Sequence, residues 1–213
     1  MVEAGLHLEN VTIALGGRPL LSMDRRIAPG EVLTVMGPSG SGKSTLLAFI
    51  GGFLAPAFAA TGIIKCGEAD ITALPAEDRH AGILFQDALL FPHMSVAGNI
   101  AFALPQAIRG RAERQHRAIA ALADVGLDGL GDRHTDTLSG GQLSRVALAR
   151  VLVSAPRMLL LDEPFSKLDQ ALRGQMRDLV FAKARENRLP VILVTHDESD
   201  ASAAGGPIAR IGE

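Results

Sequence analysis

The stretch Gly37-Pro38-Ser39-Gly40-Ser41-Gly42-Lys43-Ser44-Thr45 decides the fold of this 213-residue chain. It fits the pattern G-x-x-x-x-G-K-[ST] and follows the apolar residues 32–36, which have the composition of a buried strand. Glycines let successive backbone N–H groups turn inward around anionic oxygens, and the helix predicted over residues 43–50 directs its positive dipole end to the same place. A simple glycine-rich turn is the structural alternative. The strand before it and the helix after it favour a loop that binds a nucleoside triphosphate.

All residues from Gly37 to Thr45 are candidate contacts for the nucleotide. Two of them carry specific predictions. Lys43 is expected to reach the β- and γ-phosphates, where its charge also serves catalysis, and Ser44 is expected to offer its hydroxyl to Mg²⁺.

The composition restricts the class of protein. The chain is long enough for one sizeable core with a small inserted lobe, so one globular unit is expected. A formal net charge of −2 gives no overall basic field, which disfavours nucleic acid as the main partner. Cys66 is the only cysteine, which excludes an internal disulfide and fits a reducing, cytoplasmic setting. No stretch approaches the roughly 18 to 20 apolar residues of a membrane span, so any membrane role would require docking on the spans of another protein.

Two kinds of strand are predicted. Apolar and polar residues alternate roughly from Leu6 to Ile13, and a second short β-like run contains Ile63 and Ile64, which together favour an antiparallel layer. By contrast, the runs 81–85, 158–161 and 191–194 are continuously apolar. Such runs are typical of strands that are covered on both faces in a mainly parallel sheet.

The segment 91–153 contains no good strand and is predicted to be a helical insert. An amphipathic helix is expected over residues 109–125, ended by Gly126, with Ile119, Leu122 and Val125 on one face and its arginines in solvent. The predicted fold class is α/β, with a P-loop NTPase core, a mainly parallel sheet, an N-terminal antiparallel β layer and an inserted helical subdomain. We expect a single domain over residues 1–213, with 1–90 and 154–213 forming the core and 91–153 the insert.

A second part of the site is predicted where the apolar run 158–161 ends in Asp162 and Glu163. In parallel sheets ligands bind beyond the carboxyl ends of the strands, where residues 37–45 would also lie. Asp162 is expected to hold the Mg²⁺ shell, and Glu163 to polarise a water molecule aimed at the γ-phosphoryl group. A strand-terminating or helix-capping acid pair is the alternative.

Further motifs follow in a fixed order. Leu138-Ser139-Gly140-Gly141-Gln142 spells LSGGQ, Gln86 closes a strand before the insert, Ser166-Lys167-Leu168-Asp169 forms a turn after Glu163, and His196 follows the last core strand. Together with the phosphate loop and the acid pair, these motifs resemble the nucleotide-binding subunit of an ATP-binding cassette (ABC) transporter of the bacterial import type. The resemblance covers almost the whole chain.

The resemblance implies roles for these residues. Glu163 would be the general base, His196 would contact the γ-phosphate, and Gln86 would sense both Mg²⁺ and the attacking water. Two copies would pair head to tail, so that the ATP on one chain's phosphate loop is covered by the other chain's LSGGQ motif. The residues that would contact ATP in this second way are Ser139, Gly140, Gly141 and Gln142.

Two positions depart from the family's pattern. Leu15 stands where cassettes commonly stack an aromatic side chain on adenine, and leucine offers an apolar contact without π-stacking. Phe53 or Phe58 could compensate, with core packing as the alternative role for both. Lys167 stands where the family usually has a small residue, and two interpretations are open: it pairs across the dimer seam or it points to water.

The function implied is that of an ATPase subunit that closes as a dimer on ATP and drives solute import through separate membrane subunits. The membrane subunits would dock near Gln86 and residues 91–96, a substrate-binding protein is expected, and nucleic acid is not. The chain would be cytoplasmic, on the inner face of the membrane. Residues 197–213 would add a short helix and a terminal strand, which leaves no room for a regulatory domain.

Two alternatives are a soluble ABC ATPase of DNA repair, chromosome structure or translation, and a cassette that binds ATP without turnover. The single compact unit and the acidic balance disfavour the first. The presence of Lys43, Asp162, Glu163 and His196 disfavours the second.

Overall fold

A computed structural model describes residues 5–212 of the chain. These residues form two compact units. The first is drawn from Met1–Ile83, Arg157–Glu163 and Phe181–Glu213, and the second from Leu84–Pro156 and Pro164–Val180. The second unit contains the predicted insert 91–153 and extends beyond it on both sides. The single-domain organisation stays a prediction.

The helices and strands follow one another in this order: β1 (Leu6–Leu15), β2 (Arg18–Ile27), β3 (Val32–Met36), α1 (Lys43–Gly51), β4 (Phe58–Cys66), β5 (Ala69–Asp70), β6 (Ala81–Leu84), α2 (Val96–Ala103), α3 (Arg111–Ala123), α4 (Gly140–Val153), β7 (Met158–Asp162), α5 (Gln170–Glu186), β8 (Val191–Val194), α6 (Glu198–Ala204) and β9 (Ile208–Arg210). Short 3₁₀ turns lie at Ala76–Arg79 and Thr135–Thr137. The short helix α6 and the strand β9 agree with the elements expected after His196.

An antiparallel sheet in the order β2-β1-β4-β5 forms the predicted β layer. The alternation along β1 shifts phase because the register slips between Leu8 and Val11, where Asn10 has a φ of 47°. The matching slip on the β4 side lies opposite Gly62, where an added Cβ would stand 2.6 Å from the Cα of Val11. This β-bulge keeps Leu8 and Val11 buried on the core side although they are three residues apart.

A five-stranded sheet in the order β6-β7-β8-β3-β9 lies in the first unit, apart from the end of β6. The pairs β7–β8, β8–β3 and β3–β9 are parallel, which confirms the mainly parallel sheet predicted from the apolar runs. Every residue of β3 and β8 is buried. One hydrophobic cluster joins both sheets and α1.

The second unit contains a helical group in which α2, α3 and α4 contact one another. Within residues 91–153, all of which the structure describes, the only β interaction is an isolated bridge between Ser95 and His134. The predicted helical insert therefore has the expected secondary structure. None of the helices among residues 5–212 is long and apolar enough to cross a membrane.

Three details of the predicted amphipathic helix were wrong. Helix α3 is shorter than residues 109–125, and its buried residues are Ala118 and Leu122, one turn apart, whereas Ile119 is 43% exposed. Arg114 does not simply face solvent, because its guanidinium donates hydrogen bonds to carbonyl oxygens of the last turn of α2 and of the segment that follows it. The expected end at Gly126 agrees with its φ of 70°.

Candidate nucleotide-binding site

Three neighbouring strands of the parallel sheet bring three predicted parts of the site together. β3 lies beside β8 and β8 beside β7, so the segments that follow them emerge at one edge of the sheet. The register pairs Val194 with Val35 on one side and with Asp162 on the other. The loop 37–45, the acid pair and His196 therefore share this edge, all within the first unit.

The loop 37–45 has backbone conformations that glycine favours. Gly40 has a φ of 81° and Gly42 a φ of 93°, both in the left-handed region. At Gly37, an added Cβ would collide with the carbonyl oxygen of Ile211. Gly42 is the N-cap of α1 and has no side chain to occupy the first N–H groups of the helix. The start of α1 therefore offers backbone donors and a positive dipole end to an anion.

Lys43 is folded into the loop. Its side chain is buried, and Nζ donates hydrogen bonds of 2.8 Å to the carbonyl oxygens of both Gly37 and Pro38. A buried ammonium group loses hydration and needs such acceptors. The charge of Lys43 is thus held at the entry of the loop, on the side of β3.

Ser44 and Asp162 meet directly. The Ser44 hydroxyl donates a 2.9 Å hydrogen bond to Oδ1 of Asp162. Burial raises the pKa of Asp162, and the charge of Glu163 acts in the same direction, while the Ser44 hydrogen bond and the charge of Lys43 oppose them. The nearby hydrogen bond and positive charge therefore do not fully offset the cost of burying the ionised carboxylate.

This oxygen pair fits Mg²⁺. The ion prefers oxygen ligands and is usually held by one or two carboxylates together with phosphate oxygens and water. Among residues 5–212, no cluster of three or more His, Cys, Asp or Glu side chains could hold a metal ion alone. A hydroxyl and one carboxylate beside a phosphate loop suit an ion that arrives with a nucleotide.

Glu163 and His196 form the third part of the site. Nδ1 of His196 lies 3.2 Å from Oε1 of Glu163. The Glu163 side chain is 29% exposed, so water can reach its carboxylate. Its backbone has a φ of 47°, unusual for a residue with a Cβ, and its N–H donates to the carbonyl oxygen of Val194. Backbone strain of this kind often marks functional positions.

The sequence analysis missed the residues that hold the turn containing His196. Thr195 and Asp200 are buried, and the Thr195 hydroxyl donates to Oδ2 of Asp200 at 3.1 Å. The same Oγ1 accepts a hydrogen bond from the N–H of Asp197. The available signal was the acidic start of α6, which alone indicates only a helix cap.

A cavity of about 390 Å³ adjoins the phosphate loop. Its lining includes Leu15, Leu20 and Phe58 besides loop residues and Glu163. Leu15 therefore borders the cavity beside the loop, and its contact with the base stays a prediction. Phe53, the other aromatic candidate, is not among the lining residues.

A second cavity, of about 410 Å³, lies along the antiparallel sheet and is lined by none of the predicted site residues. Among its lining residues, Oε1 of Glu9 lies 2.8 Å from Nζ of Lys65 and 2.9 Å from Nδ1 of His7. The carboxylate of Glu9 is thus already paired with an ammonium group. Several of the predicted site residues line the smaller cavity instead.

The LSGGQ motif lies in the second unit and begins α4. Ser139 and Gln142 form a capping box: Oγ of Ser139 accepts from the N–H of Gln142 at 3.3 Å, and Oε1 of Gln142 accepts from the N–H of Ser139 at 2.9 Å. Helix α4 starts at Gly140 because this box caps it at Ser139. The roles predicted for Ser139, Gly140, Gly141 and Gln142 toward ATP stay predictions.

Gln86 also lies in the second unit, where it is exposed after the end of β6. Its neighbour Asp87 forms an ion pair with Lys167. The ammonium of Lys167 therefore finds a carboxylate within the same unit rather than pointing only to water, and pairing across a dimer seam stays a prediction. The catalytic and metal-sensing roles of Gln86 stay predictions.

Comparisons with known proteins support the resemblance stated from the motifs. The family described as ABC transporter matches residues 20–166. The chain is 46% identical over 199 residues to the uncharacterized ABC transporter ATP-binding protein YnjD of Escherichia coli K12, covering 93% of this chain and 91% of that protein. It is 45% identical over 196 residues to the thiamine import ATP-binding protein ThiQ of Jannaschia sp., covering 92% of this chain and 84% of that protein.

More distant relatives agree. The chain is 42% identical over 202 residues to the spermidine/putrescine import ATP-binding protein PotA of Marinobacter nauticus, covering 94% of this chain and 53% of that protein. A dimeric structure of the ATP-binding cassette MJ0796, in a post-hydrolysis state with ADP and Pi, superposes with a TM-score of 0.79 at 30% identity, covering 97% of this chain and 94% of that one. The chain belongs to the ABC transporter family, as a subunit that binds and hydrolyses ATP.

Proposed function

We propose that this chain energises an import system, in which ATP bound at the candidate site closes two copies into a dimer and drives a conformational change in separate membrane subunits. One observation carries the proposal. The phosphate loop, the Ser44–Asp162 oxygen pair and the Glu163–His196 pair all lie at one edge of the parallel sheet. The names of ThiQ and PotA favour import, and the MJ0796 cassette was solved as a dimer.

The loop and Lys43 bind the triphosphate in this proposal. Backbone N–H groups of the loop and of the start of α1 donate hydrogen bonds to the anionic oxygens, and Lys43 exchanges its two carbonyl partners for β- and γ-phosphate oxygens. The exchange replaces neutral acceptors by charged ones, which strengthens each hydrogen bond. The loop thus prepares the ammonium for an anionic ligand.

Ser44 and Asp162 would hold Mg²⁺ through the hydroxyl and the carboxylate oxygen that now bond each other. When bound, the ion would neutralise negative charge on the phosphates while the γ-phosphoryl group is transferred to water. The Asp162 carboxylate, whose ionised form burial disfavours, would gain the positive charge that it lacks. Cation binding therefore relieves an electrostatic cost that exists in the nucleotide-free chain.

Glu163 would take the proton from the attacking water. An Nδ1–H of His196 directed at Oε1 of Glu163 would orient the carboxylate, and a hydrogen bond from the same ring to the γ-phosphate would need a second N–H, at Nε2. The buried contact of Thr195 with Asp200 fixes the turn on which His196 sits. Positioning by this second layer allows an exposed histidine to serve in catalysis.

The remaining partners follow from the same proposal. Residues 139–142 cover the ATP of the second copy, and Gln86 links the site to membrane subunits that dock beside it and the helical insert. A substrate-binding protein completes the system, and the chain acts on the cytoplasmic face of the membrane. No nucleic acid is expected, given the net charge of −2.

Glu163→Gln tests the proposal, because it keeps the size of the side chain and one oxygen acceptor but removes the base. Since general base catalysis contributes about 10²- to 10⁴-fold, we expect ATP turnover to fall by that factor while ATP affinity changes only a few-fold. With ATP and Mg²⁺ the variant should sediment as a dimer. Glu113→Gln is the matched control, because Glu113 is an exposed residue paired with Arg117.

Used as bait with ATP on detergent-solubilised membranes of its host, the same variant should retain a polytopic membrane protein in near-stoichiometric yield. Turnover within tenfold of the wild type would contradict the role of Glu163. Recovery with soluble proteins or nucleic acid alone would contradict the membrane partnership.

A further inference from the structure

The cavity beside the phosphate loop has one aromatic side chain among its lining residues, Phe58. The polar part of the lining is the phosphate loop itself with Glu163, and the apolar part consists of Leu15, Leu20 and Phe58. A nucleotide whose phosphates occupy the loop has its base directed elsewhere in the cavity. The apolar part is the remaining surface that a planar base can cover.

Strand pairing fixes the position of Phe58. It is the first residue of β4, and its Cα pairs with that of Leu15, the last residue of β1. The two strands pair from Leu6 with Cys66 to this point, and both slip in register at the bulge opposite Gly62. Phe58 is therefore the cross-strand neighbour of Leu15 and is held there by the sheet rather than by a loop.

Phe58 is partly buried and packs against the hydrophobic cluster, and it also lines the cavity. Packing restricts the motion of the side chain, which suits a rigid platform for a ligand. Leu15, by contrast, is 43% exposed and offers branched methyl groups without a π-face. A ring in this place would compensate for the missing aromatic residue on β1.

We propose that Phe58 on β4 binds the base of the nucleotide, with Leu15 and Leu20 completing the apolar wall. The inference rests on the proposed nucleotide site, and it names the residue through which the base contributes to the affinity for the nucleotide. Stacking between a base and an aromatic ring is worth about tenfold or more in affinity and tolerates every base, with purines offering the larger π-face. Phe58 therefore supports binding of the base without recognising its hydrogen-bonding edge.

The test compares ADP with pyrophosphate, because both occupy the phosphate loop and only ADP carries a base. With the full chain and Mg²⁺, we expect Phe58→Leu to weaken ADP binding about tenfold, measured by calorimetry, and to leave pyrophosphate binding unchanged. Phe58→Tyr should bind ADP within about threefold of the wild type, since it keeps the ring. Phe53→Leu is the matched control, because Phe53 is 45% exposed and does not line the cavity.

A second measurement does not depend on truncating a packed side chain. The chain has no tryptophan, so Phe58→Trp introduces a single indole whose fluorescence reports on the cavity. We expect ADP to quench it by stacking and pyrophosphate to leave it unchanged, whereas the indole of Phe53→Trp should respond to neither. An indole at position 58 that responds equally to both ligands would overturn the inference.

The calorimetric outcomes also separate this inference from the proposed site. If the wild type binds pyrophosphate and ADP while Phe58→Leu loses nothing toward ADP, or loses both ligands equally, Phe58 is a packing residue and the inference is overturned. If the wild type binds neither ligand, the proposed nucleotide site is overturned together with it.

Discussion

Arg79 anchors the carboxyl end of the phosphate-loop helix, and its replacement by methionine should destabilise the protein strongly. The guanidinium is buried and donates hydrogen bonds of 2.8 Å and 3.0 Å to the carbonyl oxygens of Phe49 and Ile50, at the end of α1. It also donates to the carbonyl oxygens of Leu74 and Thr72, in the chain that leads to its own 3₁₀ turn. One side chain thus joins two segments of the first unit.

The magnitude follows from these four hydrogen bonds. A hydrogen bond to a charged group contributes about 1.5–3 kcal/mol, but such contributions do not add fully within one network. The carbonyl of Phe49 also accepts from the N–H of Gly52, so it keeps a partner when Arg79 is removed. Burial lowers the pKa of Arg79, which shows that its charge has a desolvation cost that methionine would not have. The expected net loss is about 3–5 kcal/mol, as for the removal of one partner from a buried charged network.

Reversible urea unfolding measures this loss directly, and for a chain of this size the melting temperature should fall by about 10 °C. Arg79→Lys should recover little of it, because a single ammonium cannot reach four carbonyls that a planar fork serves. Arg117→Met, which breaks an exposed ion pair with Glu113, should cost less than about 1 kcal/mol. A loss below about 1 kcal/mol for Arg79→Met, or full recovery with lysine, would refute the reasoning.

Two further outcomes follow from charged side chains, one in each unit. Because the folded-state pKa of Asp162 is raised, its carboxyl group favours folding when protonated and loses that contribution as the pH rises through the folded pKa. Asp162→Asn should therefore raise the melting temperature of the nucleotide-free protein at pH 7 but not near pH 3. It should also raise the Mg²⁺ concentration that half-maximal ATP turnover requires, by about tenfold or more. A lower melting temperature at pH 7 would count against this reasoning. The ion pair of Lys167 with Asp87 is half-exposed. A double-mutant cycle that replaces each residue by serine should therefore give a coupling free energy of unfolding below about 1 kcal/mol, which decreases further in 0.5 M salt. A larger coupling that resists salt would disprove this.

The sequence predicted the parts of this protein that local pattern determines. The loop 37–45, the continuously apolar strands and the acid pair at 162–163 each carry their information within a few residues. The rule that ligands bind beyond the carboxyl ends of parallel strands then predicted that they would meet. The family comparisons confirm the fold class and the ATPase function that the resemblance of these motifs implied.

The remainder depends on contacts between distant residues. Nothing near Arg79 indicates that it would find carbonyl groups of α1, 29 and 30 positions earlier. The rough alternation along β1 hides a bulge whose cause, Gly62, lies on another strand. Both interpretations of Lys167 left out Asp87, because this partner is 80 positions away. Each of these features depends on a contact between residues far apart in the sequence, which local propensity and periodicity do not predict.

The two glycines of the LSGGQ motif have different explanations, and the difference bears on the proposed dimer. An added Cβ at Gly141 would lie 3.1 Å from Cδ2 of Leu172, so packing within the second unit accounts for this glycine. At Gly140 an added Cβ would meet none of the described residues within 4 Å, apart from the helix's own backbone, and its φ is not in the left-handed region. Glycine costs a helix up to about 1 kcal/mol relative to alanine, and here no contact inside the chain offsets that cost.

The open space beside Gly140 leaves room for a ligand from outside the described residues. A backbone without a Cβ at the first turn of α4 allows close approach of an anion to N–H groups at a positive helix end. The capping box beside it is compatible with such a ligand, because the 3.3 Å hydrogen bond from Gln142 to Ser139 Oγ leaves the serine hydroxyl proton free to be donated. Both features fit the proposed second copy, whose bound nucleotide would present its phosphates to this turn.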